Sequence, residues 1–401
     1  MDRQQFMKKL MILGASYSQI PLYEAAARLG IETVAVSTPG DWPGFSLAGE
    51  VSYTDISDPE AVLRAAQSHQ ISGIATCCLD AGIRSIGYVC ESMGLKGLSM
   101  EAGKLCSDKY LMKEAFQRGG VNCARHICVH SREELENAME ALDFPVILKA
   151  VDLMGSRGLF RCDTKEEVRM HYADTMGATR KEYCLLEEFI EGRMLGCEAM
   201  ISGGKLLYCL PNNIENYPGY VPTPIGHSVP YKKQDELGEE VKRQVLLAAR
   251  VLGMDNCPVN CDLMEKDGKI YVIEITGRAG GTCLPETVGI YYGIDYYEAI
   301  VRLAMDMQVE ELFVGDPPRT ASLSHILTSD RSGTLKEIHN TNEPCANIID
   351  LSFNVESGDE IRRYENGRDR LGQVILTGET LEKCERRLDD VLAKINIEFI
   401  C

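Results

Sequence analysis

Along the first hundred residues, short runs of apolar side chains alternate with stretches whose apolar positions recur on one helical face. Residues 8–14 read as a buried strand, 19–29 as a helix stopped by Gly30, and 32–37 as a second strand. Ser57 and Glu60, flanking Pro59, carry the signature of a capping box opening a helix to about Ser68. A third strand at 71–77 and a helix over 81–93 follow. Strands that are apolar throughout, rather than alternating, belong to parallel sheets covered on both faces. Residues 1–105 are therefore expected to form a doubly wound, Rossmann-like α/β unit.

From Asp108 the pattern changes. A helix over 109–118 runs into Gly119-Gly120, and strands are expected at 124–129, 146–150, 159–162 and 183–189. Ser131 with Glu134, and Thr164 with Glu167, mark two capped helices between them. A long helix fills 234–252, and strands 259–265 and 269–275 meet at the turn Lys266-Asp267-Gly268. A helical segment over 296–307 closes this unit, giving a central two-lobed α+β domain over 106–317 with one lobe at about 121–190. Strands at 321–327, 348–353 and 373–377, a helix at 380–394 and a last strand to Phe399 make 318–401 a small, β-rich domain. The stretch 212–230 carries Pro218, Pro222, Pro224, Pro230 and His227 without clear periodicity, and is expected to be a functional loop.

Composition narrows the partners. A net charge of −18 over 401 residues disfavours nucleic acid or an anionic membrane as the main partner, so any anionic ligand must meet local positive charge. No run approaches the roughly 18 apolar residues of a membrane span. The N-terminal Met7-Lys8-Lys9-Leu10-Met11-Ile12-Leu13 has too short an apolar core for a secretory signal and reads better as the first strand. The 16 cysteines include no Cys-x-x-Cys and mostly sit alone among apolar neighbours, as reduced thiols of a cytoplasmic protein do. Cys123, His126 and Cys128 have metal-binding side chains but poor zinc spacing.

Candidate chemistry begins at Lys149, which ends the apolar run Phe144-Pro145-Val146-Ile147-Leu148, where an unpaired charge would be costly. Gly155-Ser156-Arg157-Gly158 follows, a turn whose N–H groups can close over an anion. Asp262 and Glu274 lie on adjacent expected strands and could hold a divalent cation against the same phosphates. The earlier turn Gly14-Ala15-Ser16-Tyr17-Ser18 lacks the Gly-x-Gly-x-x-Gly spacing, and the next strand ends without an acidic residue. It is a tight turn or a small-anion site at a helix start. No Gly-Lys-Ser/Thr follows it, which excludes a P-loop.

In this order the motifs resemble the ATP-grasp superfamily, in its carbamoyl-phosphate-synthase-like and biotin-carboxylase-like branch. The pieces are Ser107-Asp108-Lys109 with Met112-Lys113 and Gly119-Gly120-Val121, the Lys149 strand and the 155–158 loop. Leu186-Glu187-Glu188-Phe189-Ile190-Glu191-Gly192 with Glu198, and Glu274-x-Thr276-x-Arg278, complete the set. The resemblance implies ATP with Mg²⁺ (or Mn²⁺) as cofactors. Lys109 and Lys149 would sit on the α- and β-phosphates, and Gly155, Ser156, Arg157 and Gly158 would close over the γ-phosphate. Glu187 and the main chain of Glu188 and Ile190 would read adenine, with Glu198 or Glu187 at the ribose. Asp262 and Glu274 would hold the metal, and Arg278, with Lys149, would stabilise the transferred phosphoryl. Thr276 stands where many relatives have asparagine, which weakens it as a metal ligand; with His227 and Arg278 it is a candidate substrate contact. The implied activity is ADP-forming ligation of a carboxylate to an amine or thiol through an acyl phosphate. A bicarbonate-activating carboxylase and a non-catalytic ATP-binding protein are the alternatives. Partners are expected to be small carboxylate and amine substrates, with a homodimer as the default assembly.

Overall fold

The structure, a computed structural model, describes residues 8–153, 155, 157–218 and 223–400, without the side chain of Arg368. In the N-terminal unit, Glu50–Tyr53, Glu32–Ser37, Lys9–Leu13 and Gly73–Ala75 form a parallel sheet in that order. The edge strand Glu50–Tyr53 was not legible, because none of its residues is fully buried and its pattern is weak. The 71–77 strand is shorter than expected, and the helix Pro59–His69 is capped by Asp58, not Ser57. The Asp58 side chain accepts from the amides of Glu60 and Ala61, while Ser57 turns back onto Asp55. A short helix, Met100–Cys106, capped by Ser99, was also missed.

The lobe expected over about 121–190 holds a second sheet, antiparallel throughout: His126–Val129, Cys184–Glu188, Val146–Ala150, Leu159–Cys162. Helices Arg132–Ala141 and Lys165–Ala178 cover it, the second with a complete Thr164–Glu167 capping box. Val146, Leu148, Val168 and Leu186 form a core of their own here. Burying each such side chain contributes roughly 1.5–3 kcal/mol, enough to make this lobe a separate packing unit.

The largest sheet has eight strands in the order Lys269–Thr276, Cys257–Lys266, Arg193–Ser202, Lys205–Tyr217, Thr223–Val229, Ala321–Leu327, Gly372–Gly378, Ile348–Phe353. Two expectations change here. Residues 212–230 are not a structureless loop: Asn212–Tyr217 and Thr223–Val229 are paired strands, with 219–222 outside the described residues. Pro224 sits at a register shift opposite Asn216, a position where a missing N–H is tolerated. The strands after 318 also continue the same sheet, Val229 pairing with Ser322 and Gly226 with His325. A boundary at 317 divides the sequence but not the sheet. Met11 and Leu13 share a cluster with Phe116, Leu195 and Val259, and Leu10 and Ile12 share another with Met200, Ile300 and Val301. The first sheet is thus packed into the central body on both faces. Among the described residues no helix is long and apolar enough to cross a membrane.

Candidate active site

A cavity of about 380 Å³ opens between the lobe's four-stranded sheet and the eight-stranded sheet. Ile147, Leu159, Phe189 and Ile190 line its lobe side, and Met194 and Met264 face them from the large sheet. This end is a flat apolar slot. The Glu188 amide donates to the Arg125 carbonyl and the Phe189 amide to the Pro145 carbonyl, both at 2.9 Å. The Ile190 amide has no backbone partner among the described residues, so a ring nitrogen at the slot's rim would have a donor. The Glu188 carboxylate is turned away, onto the Arg125 guanidinium at 2.7 Å.

Lys149 lies at the slot's inner end and pairs with Glu187 Oε1. The other Glu187 oxygen lies 3.0 Å from Lys113 Nζ, and Lys113 is fully buried. Burial alone would raise the Glu187 carboxyl, but Lys113 and then Lys149 bring it down to about 2. Burial lowers the Lys149 ammonium, against the pull of Glu187. The Glu187 side chain, expected at adenine or ribose, lies between two lysines at the cavity wall.

The Asp262 and Glu274 side chains face each other across the hairpin in direct register, beside a bulge at Asp262/Leu263. Burial, with the Glu274 charge next to it, raises Asp262 to about 7. Lys109 Nζ reaches Glu274 at 3.0 Å and the Leu153 carbonyl at 2.7 Å, so it links the carboxylates to the root of the glycine loop. A buried Asp262 carboxyl, raised by burial and by the Glu274 charge opposite it, makes with Glu274 a donor set that a divalent cation would relieve. Among the described residues no group of three or more His, Cys, Asp or Glu side chains could hold a metal ion. Asp262 and Glu274 fit Mg²⁺ as two ligands, with ligand oxygens and water left to complete its shell. Gly155 and Arg157 line the cavity, Gly158 adopts a left-handed φ of 64° at the loop's end, and Ser156 lies outside the described residues.

Arg278 sits at the far end of the cavity, bound bidentately to Asp80, with Nε and Nη2 each 2.7 Å from a carboxylate oxygen. Its Nη1 donates to Asn260 Oδ1 at 2.9 Å. Burial pulls the guanidinium down, but the Asp80 charge outweighs it and the net direction is up. Asp80 belongs to the N-terminal unit, whose Cys78 amide donates to the Ala279 carbonyl at 3.0 Å. Beneath this segment Glu198 is fully buried, accepting from Asn260 Nδ2 at 2.7 Å and the Gly280 amide at 3.1 Å. Burial raises it to about 8. A Cβ at Gly280 would lie 2.6 Å from that carboxylate and 2.4 Å from Leu284 Cδ1, so only glycine fits. Glu198 therefore supports the floor and does not line the cavity. Thr276, a candidate substrate contact, is buried and is not among the residues lining the cavity; its hydroxyl has no hydrogen-bond partner among the described residues.

His227 lines the cavity from a strand, with Nδ1 2.9 Å from Asn212 Oδ1. Burial lowers it to about 3, so it is neutral and poorly suited to collect a proton. At the turn after the first strand, Gln19 Oε1 accepts from the Ser16 amide and hydroxyl at 3.1 and 2.7 Å, which fills the proposed anion position. A second cavity of about 260 Å³ adjoins that turn and shares Thr282 with the first. Tyr17, Ser18, Cys78, Glu286, Arg370 and Gln373 are among its walls. Sequence reasoning missed Asp80, Lys113, Asn260 and Arg370. Only Lys113 had a signal, as part of the Met112-Lys113 motif.

A family described as ATP-grasp domain matches residues 106–282, and one described as L-amino acid ligase C-terminal domain 2 matches 325–399. The crystal structure of phosphoribosylglycinamide synthetase from Anaerococcus prevotii is 41% identical, covers 98% of this chain and 100% of that one, and superposes with a TM-score of 0.84. L-amino acid ligase from Bacillus licheniformis, at 21% identity, covers 98% of this chain and 99% of that one with a TM-score of 0.85, a likeness of fold. Alanine–anticapsin ligase of Bacillus subtilis (strain 168) is 23% identical over 246 residues, which are 55% of this chain and 51% of that protein.

Proposed function

Because the chain belongs to the ATP-grasp superfamily, we propose that it is an ADP-forming ligase joining a small carboxylate to an amine. The observation that carries this reading is the meeting of Lys109, Lys149, Asp262, Glu274 and Arg278 along one cavity with an apolar slot at its end. Adenine fits the slot between Ile147, Phe189 and Met264, with the Ile190 amide at its edge. Lys149 and Lys109 meet the phosphates, and the 155–158 loop excludes water above them. Mg²⁺ held by Asp262 and Glu274 would draw charge from the phosphate oxygens.

Arg278 orients the substrate carboxylate, whose oxygen attacks the γ-phosphorus while the bond to the β-phosphate oxygen breaks and ADP leaves. The amine then attacks the acyl carbon, and the carbon–oxygen bond to phosphate breaks. The proton lost by the nitrogen leaves with the departing phosphate. These residues act by positioning and charge stabilisation, which is what phosphoryl transfer chiefly requires. The second cavity suits the amine-bearing partner: it adjoins the Arg278 segment through Thr282 and sets the Glu286 carboxyl and Arg370 guanidinium in its walls. The test is ADP release with acids and amines offered in pairs, bicarbonate included among the acids. Turnover that needs both an acid and an amine supports the reading; turnover on bicarbonate alone, or none above water with any pair, overturns it.

A further inference from the structure

We propose that Lys113 is a positioning residue that compensates Glu187 from behind, so that Lys149, although bonded to Glu187, keeps an unneutralised charge for a phosphate. The inference rests on the nucleotide reading of the cavity. Lys113, Glu187 and Lys149 have side-chain exposures of 0%, 6% and 4%, so water screens none of the three. Lys149 and Glu187 line the cavity and Lys113 does not. The group holds one positive charge in excess, and that excess faces the cavity through Lys149.

The elements explain how the group is assembled. Glu187 pairs in register with Ile147, which sets its side chain diagonally beside that of Lys149 on the same face of the lobe's sheet. Lys113 comes from the helix Lys109–Gly119, whose Met112 and Phe116 pack in the central body and not in the lobe. The ion pair therefore also crosses from one core to the other. Without Lys113, the existing Glu187–Lys149 contact would be a neutral pair. No net positive charge would then face the cavity, and a phosphate would have to compete with Glu187 for the only ammonium of the group.

The experiment measures ADP–Mg²⁺ affinity by calorimetry, and KM for ATP with kcat, in the full-length protein. Lys113→Met and Lys113→Gln are each expected to weaken ADP binding and raise KM by about tenfold to a hundredfold, with kcat changed by less than about threefold. Lys113→Arg keeps the charge and is expected to stay within about threefold of wild type. The decisive variant is Lys113→Met combined with Glu187→Gln, which removes the charge needing compensation and should recover most of the lost affinity. A helix-packing role alone predicts no such recovery, so a double variant as weak as the single one overturns the proposal. So does a Lys113→Gln protein that binds like wild type. Wild-type protein that fails to bind ADP at all refutes the nucleotide reading itself, an outcome visible before any variant is made.

Discussion

The contact between Asp80 and Arg278 joins two parts of the chain 198 residues apart, and Asp80→Ala tests whether it holds the site together. Both side chains are largely shielded, at 13% and 12% exposure, and the pair makes two parallel hydrogen bonds of 2.7 Å. Removing one member of a buried pair costs about 3–5 kcal/mol, because the other charge stays behind without compensation. Arg278 would retain two neutral acceptors, Asn260 Oδ1 at 2.9 Å and the Ala279 carbonyl at 3.1 Å. That reduces the expected loss to roughly 2–4 kcal/mol. Asp80→Asn keeps one acceptor and should cost less, about 1–2 kcal/mol. Urea unfolding of wild type, Asp80→Ala, Arg278→Ala and the double variant gives the coupling directly, expected at about 1–3 kcal/mol. ADP formation by Asp80→Asn should fall through kcat, with ATP affinity held, because the lysines and carboxylates are untouched. A single-variant loss below about 0.5 kcal/mol, or strict additivity in the cycle, would refute the argument.

Three further outcomes follow from the same geometry. Lys149→Ala and Glu274→Ala should each lower ADP formation at least about a hundredfold, and near-wild-type turnover in either would remove it from the site. Burial raises Asp262 from the ordinary aspartate value of 3.8 to about 7, so the folded protein binds the extra proton between those values. Stability from this group is present at acid pH and is lost as pH rises toward 7, by roughly 4 kcal/mol at most. Mg²⁺ with nucleotide should reverse that loss and release protons near pH 6.5, measured by calorimetry in buffers of differing ionisation enthalpy; no proton release would contradict the pairing. His227, lowered to about 3, should stay neutral down to about pH 4, and an NMR titration with a midpoint above 5 would count against its burial against Asn212.

Much of the body was legible because its elements carry local signals. Thr164 with Glu167 forms the complete capping box expected, and Lys266-Asp267-Gly268 turns the hairpin with Asp267 and Gly268 at φ of 52° and 73°. The region 212–230 was misread for a physical reason. Its buried polar side chains Asn212 and His227 bond each other, and half-buried Asn213 bonds the Ser228 carbonyl across the hairpin, so the strand lacks the alternation of an apolar core. The expected lysines and paired acids, Lys109, Lys149, Asp262 and Glu274, all line one cavity, and their ordered motifs are what made them candidates. Glu187 and Glu198 were seen as important, but their surroundings were not legible: one lies between two lysines and the other is buried under the Gly280 segment. A carboxylate's role depends on what surrounds it, and both are buried beside groups far away in sequence.

That difference between seeing a charged residue and knowing its task runs through the whole site. Lys149 at a strand end promises a phosphate contact only if something else satisfies Glu187, and the something is a lysine from another packing unit. Arg278 promises charge stabilisation only if it is held still, and its holder, Asp80, comes from the loop that follows the first sheet's strand Gly73–Ala75, tied to the central body by the Cys78 amide on the Ala279 carbonyl. Asp262 promises a metal only because Glu274 is placed directly opposite it, at a bulge no local pattern marks. In each case the chemistry belongs to a pair whose members come from different elements. The packing of the first sheet into the central body, and the continuation of the large sheet past residue 318, therefore bear on the active site and not on stability alone. Variants that loosen those contacts should act first on Arg278, because it is the site residue tied directly to the N-terminal unit through Asp80.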